Sequence, residues 1–177
     1  MTDTLWIFGY GSLLWDPGFA PAERLCARAP GWHRSFCMRS VVHRGRPEAP
    51  GLVLALDAAP GAACAGLAFA VRPGEEETVL AELRARELVT DAYQERRIAL
   101  EAESGARIEA ITYVIDKTHA QYCDLALEEQ AQIIARASGG RGPNRDYLFN
   151  TAAHLAELGL PDTDLDWLVE RVRELTV

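Results

Sequence analysis

Two glycines flank a tyrosine in Phe8-Gly9-Tyr10-Gly11-Ser12-Leu13-Leu14-Trp15, where a short apolar run ends. With no Cβ in the way, such a backbone can turn sharply and approach a ligand closely. Successive N–H groups in a turn of this kind can converge on an anion such as a carboxylate. The same spacing also suits a tight turn that merely leads a strand out of the core. The glycine pair lacks the rest of a dinucleotide fingerprint, and no Walker lysine follows. Ser12 as a nucleophile would need a base, and no histidine has a context that singles it out.

Glu87 is the second candidate. Leu80, Leu83 and Glu87 follow i, i+3, i+7 spacing and lie on one face of a helix expected from about 75 to 88. The stripe that should face the core therefore ends in a carboxylate. Partial burial and the negative end of the helix dipole both favour its protonated form, which makes the ionised group a better proton acceptor. The alternatives are a pairing with Arg84 or Arg86, or escape to solvent at the helix end. The third candidate is Gly142-Pro143-Asn144-Arg145-Asp146-Tyr147, a loop and helix start whose free N–H groups suit an anion, with Tyr147 in the first turn. It equally suits a simple capped helix with Tyr147 packed on the core. Arg39 and Arg44 near the end of a long strand are a weaker signal. His33, His119 and His154 have no ligand spacing, and no metal site is expected.

These residues need elements to position them. Leu5-Trp6-Ile7-Phe8 reads as a strand covered on both faces. Strands are expected over 32–43, 51–57 and 63–71, the last two joined as a hairpin at Pro60-Gly61, and over 94–100 and 107–115 around Ser104-Gly105. Pro73-Gly74 followed by Glu75, Glu76 and Glu77 starts the helix that carries Glu87. Further helices are expected over 125–137, from an Asn144 cap to about Leu158, and along the stripe Leu165, Leu168, Val169 and Val172. Early strands and late helices indicate an α+β fold, in which a curved, mainly antiparallel sheet is packed by helices. No linker or repeat divides the chain, so residues 1–177 are expected to form a single domain.

Composition narrows the function classes. The 177 residues carry a net charge of −8, which argues against a nucleic-acid partner. A small anionic substrate remains compatible if the site supplies its own donors. Cys26, Cys37, Cys64 and Cys123 show no CxxC spacing and are expected to be reduced thiols. No apolar stretch reaches membrane-spanning length, and Met1 to Thr4 lead straight into a strand, so a cytoplasmic protein is expected.

Taken in order, several segments resemble the ChaC-like γ-glutamylcyclotransferase family. They are Phe8 to Phe19, His43-Arg44-Gly45, Pro50 to Leu56, Arg86-Glu87-Leu88-Val89-Thr90 with Tyr93, and Gly142 to Asn150. Around Glu87 the chain is similar to the bacterial form of the family. The resemblance implies a γ-glutamylcyclotransferase-like fold, a small β-barrel-like sheet with flanking helices. It also implies action on glutathione, released as 5-oxoproline and cysteinylglycine, without metal or cofactor. Tyr10, Gly11, Ser12 and Leu13 match its substrate-binding turn, Glu87 its catalytic glutamate, and Tyr147 its tyrosine motif near the substrate. The rival expectations are a cyclotransferase for other γ-glutamyl amino acids or amines, and a regulatory protein that binds a γ-glutamyl ligand without turnover.

Overall fold

The computed structural model describes residues 3–89, 91–160 and 162–177. Thr90, one of the residues carrying the resemblance, lies outside them, as do Met1 and Thr2 of the expected lead-in. The chain divides into two compact units, Met1–Ser35 with Ala55–Asp116, and Phe36–Leu54 with Lys117–Val177. Neither is a continuous stretch of sequence.

Five strands, β1 (Trp6–Gly9), β2 (Glu23–Ser40), β3 (Gly51–Ala70), β4 (Tyr93–Ala102) and β5 (Arg107–Ile115), form a closed barrel in the order β1-β3-β2-β4-β5. The pairings are mainly antiparallel. β4 and β5 run from Tyr93↔Ile115 to Glu101↔Arg107 around a turn in which Gly105 has φ +87°. The first unit also contains α1 (Glu76–Glu87).

Alternation along the strands builds two cores in this unit. Phe8, Ala27, Leu56, Ile98, Leu100, Ala110 and Val114 come from all five strands and fill the barrel. Ile7, Ile111 and Tyr113 point the other way and pack with Leu13 and with Val79 and Leu83 of α1. Strand β1 is apolar throughout because both of its faces are covered. On α1 the buried positions are Val79 and Leu83, with Leu80 only partly buried, so the stripe leading to Glu87 is i, i+4, i+8.

Three local expectations differ from the structure. Strand β2 begins at Glu23 rather than residue 32, because its buried positions there are the small Ala27 and Ala29, which leave little hydrophobic signal. It also ends at Ser40 rather than residue 43. The two strands expected on either side of Pro60-Gly61 are one continuous ladder, Gly51–Ala70. The chain nevertheless reverses there: Leu56 pairs parallel to β5, whereas Leu67–Ala70 pair antiparallel to β1, itself parallel to β5. Gly61, at φ +86°, supplies the left-handed residue such a reversal needs. Asn144, expected as a helix cap, is instead the first helical residue, and its side chain does other work.

The second unit contains α2 (Leu127–Arg136), α3 (Asn144–Glu157) and α4 (Thr163–Leu175), with a two-stranded ribbon of β6 (Ser138–Gly139) and β7 (Gly142–Pro143). Ile134, Leu148, Leu155, Leu165, Leu168 and Val172 are buried on the three helices. Asp162 caps α4 by accepting from Leu165 N at 3.0 Å. Arg171 ties α4 to α2 through Glu128 at 2.7 Å. None of the four cysteines is in a disulfide, and Cys37, Cys64 and Cys123 are buried. No described helix is long and apolar enough to cross a membrane.

Candidate active site

The turn after β1 is shaped by what its glycines exclude. A Cβ on Gly9 would press on the Phe69 ring at 3.0 Å and on Leu13 at 3.2 Å. Gly11 is also buried, yet a Cβ there would meet nothing within 4 Å, so open space lies beside this backbone. Ser12–Leu14 form one 3-10 turn closed by Leu14 N–H to Gly11 O at 2.9 Å. The N–H groups of Gly11, Ser12 and Leu13 find no hydrogen-bond partner among the described residues. Three successive donors beside an open volume form an anion-binding concavity.

The flanking side chains anchor this turn. The Tyr10 hydroxyl donates to Tyr113 O at 2.6 Å, so its ring is part of the core and its backbone is the portion next to the turn. Leu13 is buried against Val79, Leu83 and Tyr113. Arg34, only 3% exposed, donates from Nε to Tyr10 O at 2.6 Å and from Nη2 to Ala65 O.

Glu87 is the last residue of α1, and its side chain is only 16% exposed. Burial raises its pKa above the ordinary carboxylate value, and the positive charge of Arg86 acts in the opposite direction. Of the alternatives left open by the sequence, pairing with Arg84 is excluded. Arg84 instead grips Glu95 with two bonds, of 2.9 and 3.0 Å. Escape to solvent is excluded by the exposure. Arg86 does pair with Glu87, loosely, with Nε 3.7 Å from Oε1. Its other nitrogens reach the donor turn, Nη1 to Asp16 O at 2.7 Å and Nη2 to Ser12 Oγ at 3.1 Å. The end of α1 and the turn are thereby joined through one guanidinium.

Tyr113 lies beside the carboxylate. Its hydroxyl donates to Glu95 Oε1 at 3.0 Å, and burial, with the charges of Glu95 and Glu87, drives its pKa up, so it stays neutral. Arg84 pulls the Glu95 carboxyl below the usual range. Glu95 on β4 and Glu87 at the end of α1 are thus shifted in opposite directions, the first by its Arg84 partner and the second by burial.

Tyr147 belongs to the second unit. Its hydroxyl accepts from Leu54 N–H at 3.3 Å, its ring meets Phe36 edge-on with centroids 5.9 Å apart, and the Arg44 guanidinium lies 5.7 Å from its centroid. Arg44 is no solvated strand-end residue. It donates to Arg141 O and Pro143 O at 3.0 and 3.2 Å. Nearby, Asn144 accepts from Leu52 N and donates to Leu52 O, both at 2.8 Å, in a fully buried amide pair. His43 is held more acidic than usual by burial and by Arg141 and Arg44.

Sequence reasoning brought Tyr10, Gly11, Ser12, Leu13 and Glu87 forward, and the structure gathers them in one unit around α1 and β1. It did not single out Arg34 or Tyr113, and gave Arg86 no role beyond a possible ion partner within the matching Arg86–Thr90 segment. Arg34 had a visible signal: it alternates with Trp32 and Phe36, so it shares their strand face.

Comparison with known proteins gives the family and the fold. Residues 5–175 match the model of the family described as ChaC-like protein. A glutathione-specific γ-glutamylcyclotransferase of Escherichia coli is 36% identical over 172 residues, covering 97% of this chain and 74% of that protein. The γ-glutamylcyclotransferase 2-3 of Arabidopsis thaliana is 36% identical over 180 residues, 97% of this chain and 89% of that one. Among solved structures, the glutathione-specific γ-glutamyl cyclotransferase from yeast shares the fold with a TM-score of 0.86 at 22% identity, covering 98% of this chain and 97% of that one. With a family match that runs almost from end to end and relatives above 30% identity, the chain belongs to the ChaC-like protein family.

Proposed function

We propose that the protein is a γ-glutamylcyclotransferase that splits glutathione into 5-oxoproline and cysteinylglycine, with Glu87 as its proton-transfer group. The carrying observation is a poorly hydrated carboxylate at the end of α1, tied by its neighbour Arg86 to a turn with three unpaired N–H donors. The name of the Escherichia coli relative supports glutathione as the substrate.

The reaction is an intramolecular aminolysis. The α-amine of the γ-glutamyl group attacks its own side-chain amide carbonyl, a C–N bond closes the five-membered lactam, and the C–N bond to cysteinylglycine breaks. The nucleophile is already tethered, so what the enzyme adds by orientation is to hold the substrate in its near-attack geometry. Glu87 takes the proton that the ammonium must lose and returns one to the departing nitrogen. The donors of Gly11, Ser12 and Leu13 suit substrate oxygens, and Tyr147 has an orienting role. This chemistry asks for neither an enzyme nucleophile nor a metal or organic cofactor. We place the reaction in the cytoplasm, in keeping with four unbridged thiols.

Incubation with glutathione, γ-glutamylalanine and γ-glutamyl-lysine, followed by mass spectrometry, tests the reading. Wild-type protein is expected to release 5-oxoproline from glutathione in preference to the other two. Glu87→Gln is expected to lower turnover by about 100-fold or more, the range of acid–base catalysis. Near-wild-type release by that variant would remove Glu87 from the mechanism, and preference for either other substrate would reassign the specificity.

A further inference from the structure

Arg86 makes more of its surroundings than an ion pair requires. Its Nη1 is bonded to Asp16 O, its Nη2 to Ser12 Oγ, and its Nε faces Glu87 Oε1. A Cβ on Gly18 would lie 3.7 Å from Nη1, so the guanidinium packs along the whole segment from residue 12 to 18. A serine oxygen that accepts from a guanidinium still has its own O–H to donate. That hydrogen joins the N–H groups of Gly11, Ser12 and Leu13, and the turn then offers an oxygen ligand donors only.

We propose that Arg86 is a positioning residue: its planar fork holds the Ser12 hydroxyl as a donor to the γ-glutamyl substrate and fixes the donor turn against the helix end that carries Glu87. This rests on the γ-glutamyl reading above. The charge of Arg86 has a second effect, since it opposes the rise that burial imposes on Glu87. The other groups around that carboxylate do not replace it. Tyr113 on β5 is neutral, Arg84 on α1 is committed to Glu95 on β4, and Asp16 in the turn is itself acidic.

The test compares Arg86→Gln, Arg86→Lys, Ser12→Ala and the Arg86→Gln/Ser12→Ala double variant in glutathione turnover. Carbon-13 NMR titration of the Glu87 carboxyl accompanies it, assigned by its loss in Glu87→Gln. Arg86→Gln is expected to raise KM roughly tenfold, the scale of one lost charge-assisted hydrogen bond. It should also move the acidic limb of kcat/KM, and the Glu87 titration, to higher pH. Arg86→Lys should bring back the limb but not KM, because an ammonium keeps the charge and lacks the fork. The double variant should be little worse than Arg86→Gln alone, since the two residues act through one bond. An unchanged KM in Arg86→Gln, an unmoved limb, or effects that add independently would each overturn the assignment. If Arg86→Gln does not fold, Arg86→Lys decides alone, and a wild-type KM there counts against the fork. The NMR titration needs no turnover: if the wild type released no 5-oxoproline, the reaction would fall, while the Glu87 shift would still judge Arg86.

Discussion

At the scale of single residues, the cost of a site is measurable in Glu87. Its folded-state pKa is raised, so between the unfolded and folded values the native state binds more protons than the unfolded chain. Stability then falls as pH rises through that window, and the whole penalty is present above the folded pKa. Glu87→Gln removes it. The variant is expected to melt at a higher temperature than wild type at neutral pH, with the difference disappearing below the ordinary carboxylate pKa. Calorimetric scans across pH check this, and a lower melting point at neutral pH would contradict the burial account. Activity has the opposite sign, a trade-off common where a group is held away from water for chemistry. Tyr147→Phe should behave differently. It deletes an acceptor for Leu54 N–H, at a cost of about 1 kcal/mol in a denaturant titration, and should reduce turnover far less than Glu87→Gln does. Equal turnover losses in the two variants would give Tyr147 more than an orienting part.

At the scale of elements, two glycines separate architecture from function. A Cβ on Gly45 would lie 2.0 Å from Gly51 N and 2.4 Å from Ser40 O, both backbone atoms just beyond or within the ends of β2 and β3. Neither can move aside without breaking the local ladder. Gly45→Ala is expected to destabilise the fold by about 3 kcal/mol or more. Gly11→Ala places its methyl in open space instead, so the protein should fold while KM for glutathione rises. Melting curves and steady-state kinetics on both variants make the comparison. A well-folded Gly45→Ala, or a Gly11→Ala with wild-type KM, would refute the corresponding half. Helix α1 links the two levels: Val79 and Leu83 pack on β1 and β5, and that packing delivers Arg86 and Glu87 to the turn.

At the scale of the whole molecule, the two compact units share their strands. Residues 36–54 of the second unit are the end of β2, the following loop and the start of β3, inserted between segments of the first. Neither unit is a chain segment that could be cut out intact. We propose that residues 1–177 behave as a single cooperative domain, with one calorimetric transition whose van't Hoff and calorimetric enthalpies agree. Two resolved transitions would show that the units melt separately. A net charge of −8 adds to the case for local donors, because a carboxylate ligand is repelled by the overall charge and must be held by N–H groups and arginines close to it.

How far the amino-acid order reaches can be read from particular residues. Local regularities were enough for β1, for the β4–β5 hairpin at Gly105, for four helices, and for a carboxylate at the end of an apolar helix face. Each depends on neighbours within a few positions, where periodicity and turn chemistry operate. The ordered motifs from Phe8 to Asn150 carried the family. What tertiary structure alone decided was the choice of partners. Arg84 takes Glu95 and leaves Glu87 to Arg86; Arg86 reaches Ser12 across 74 positions; Asn144 abandons its cap for Leu52, 92 positions away. A polar side chain satisfies whichever group the folded backbone brings within about 3 Å, and that distance exists only after the barrel has closed.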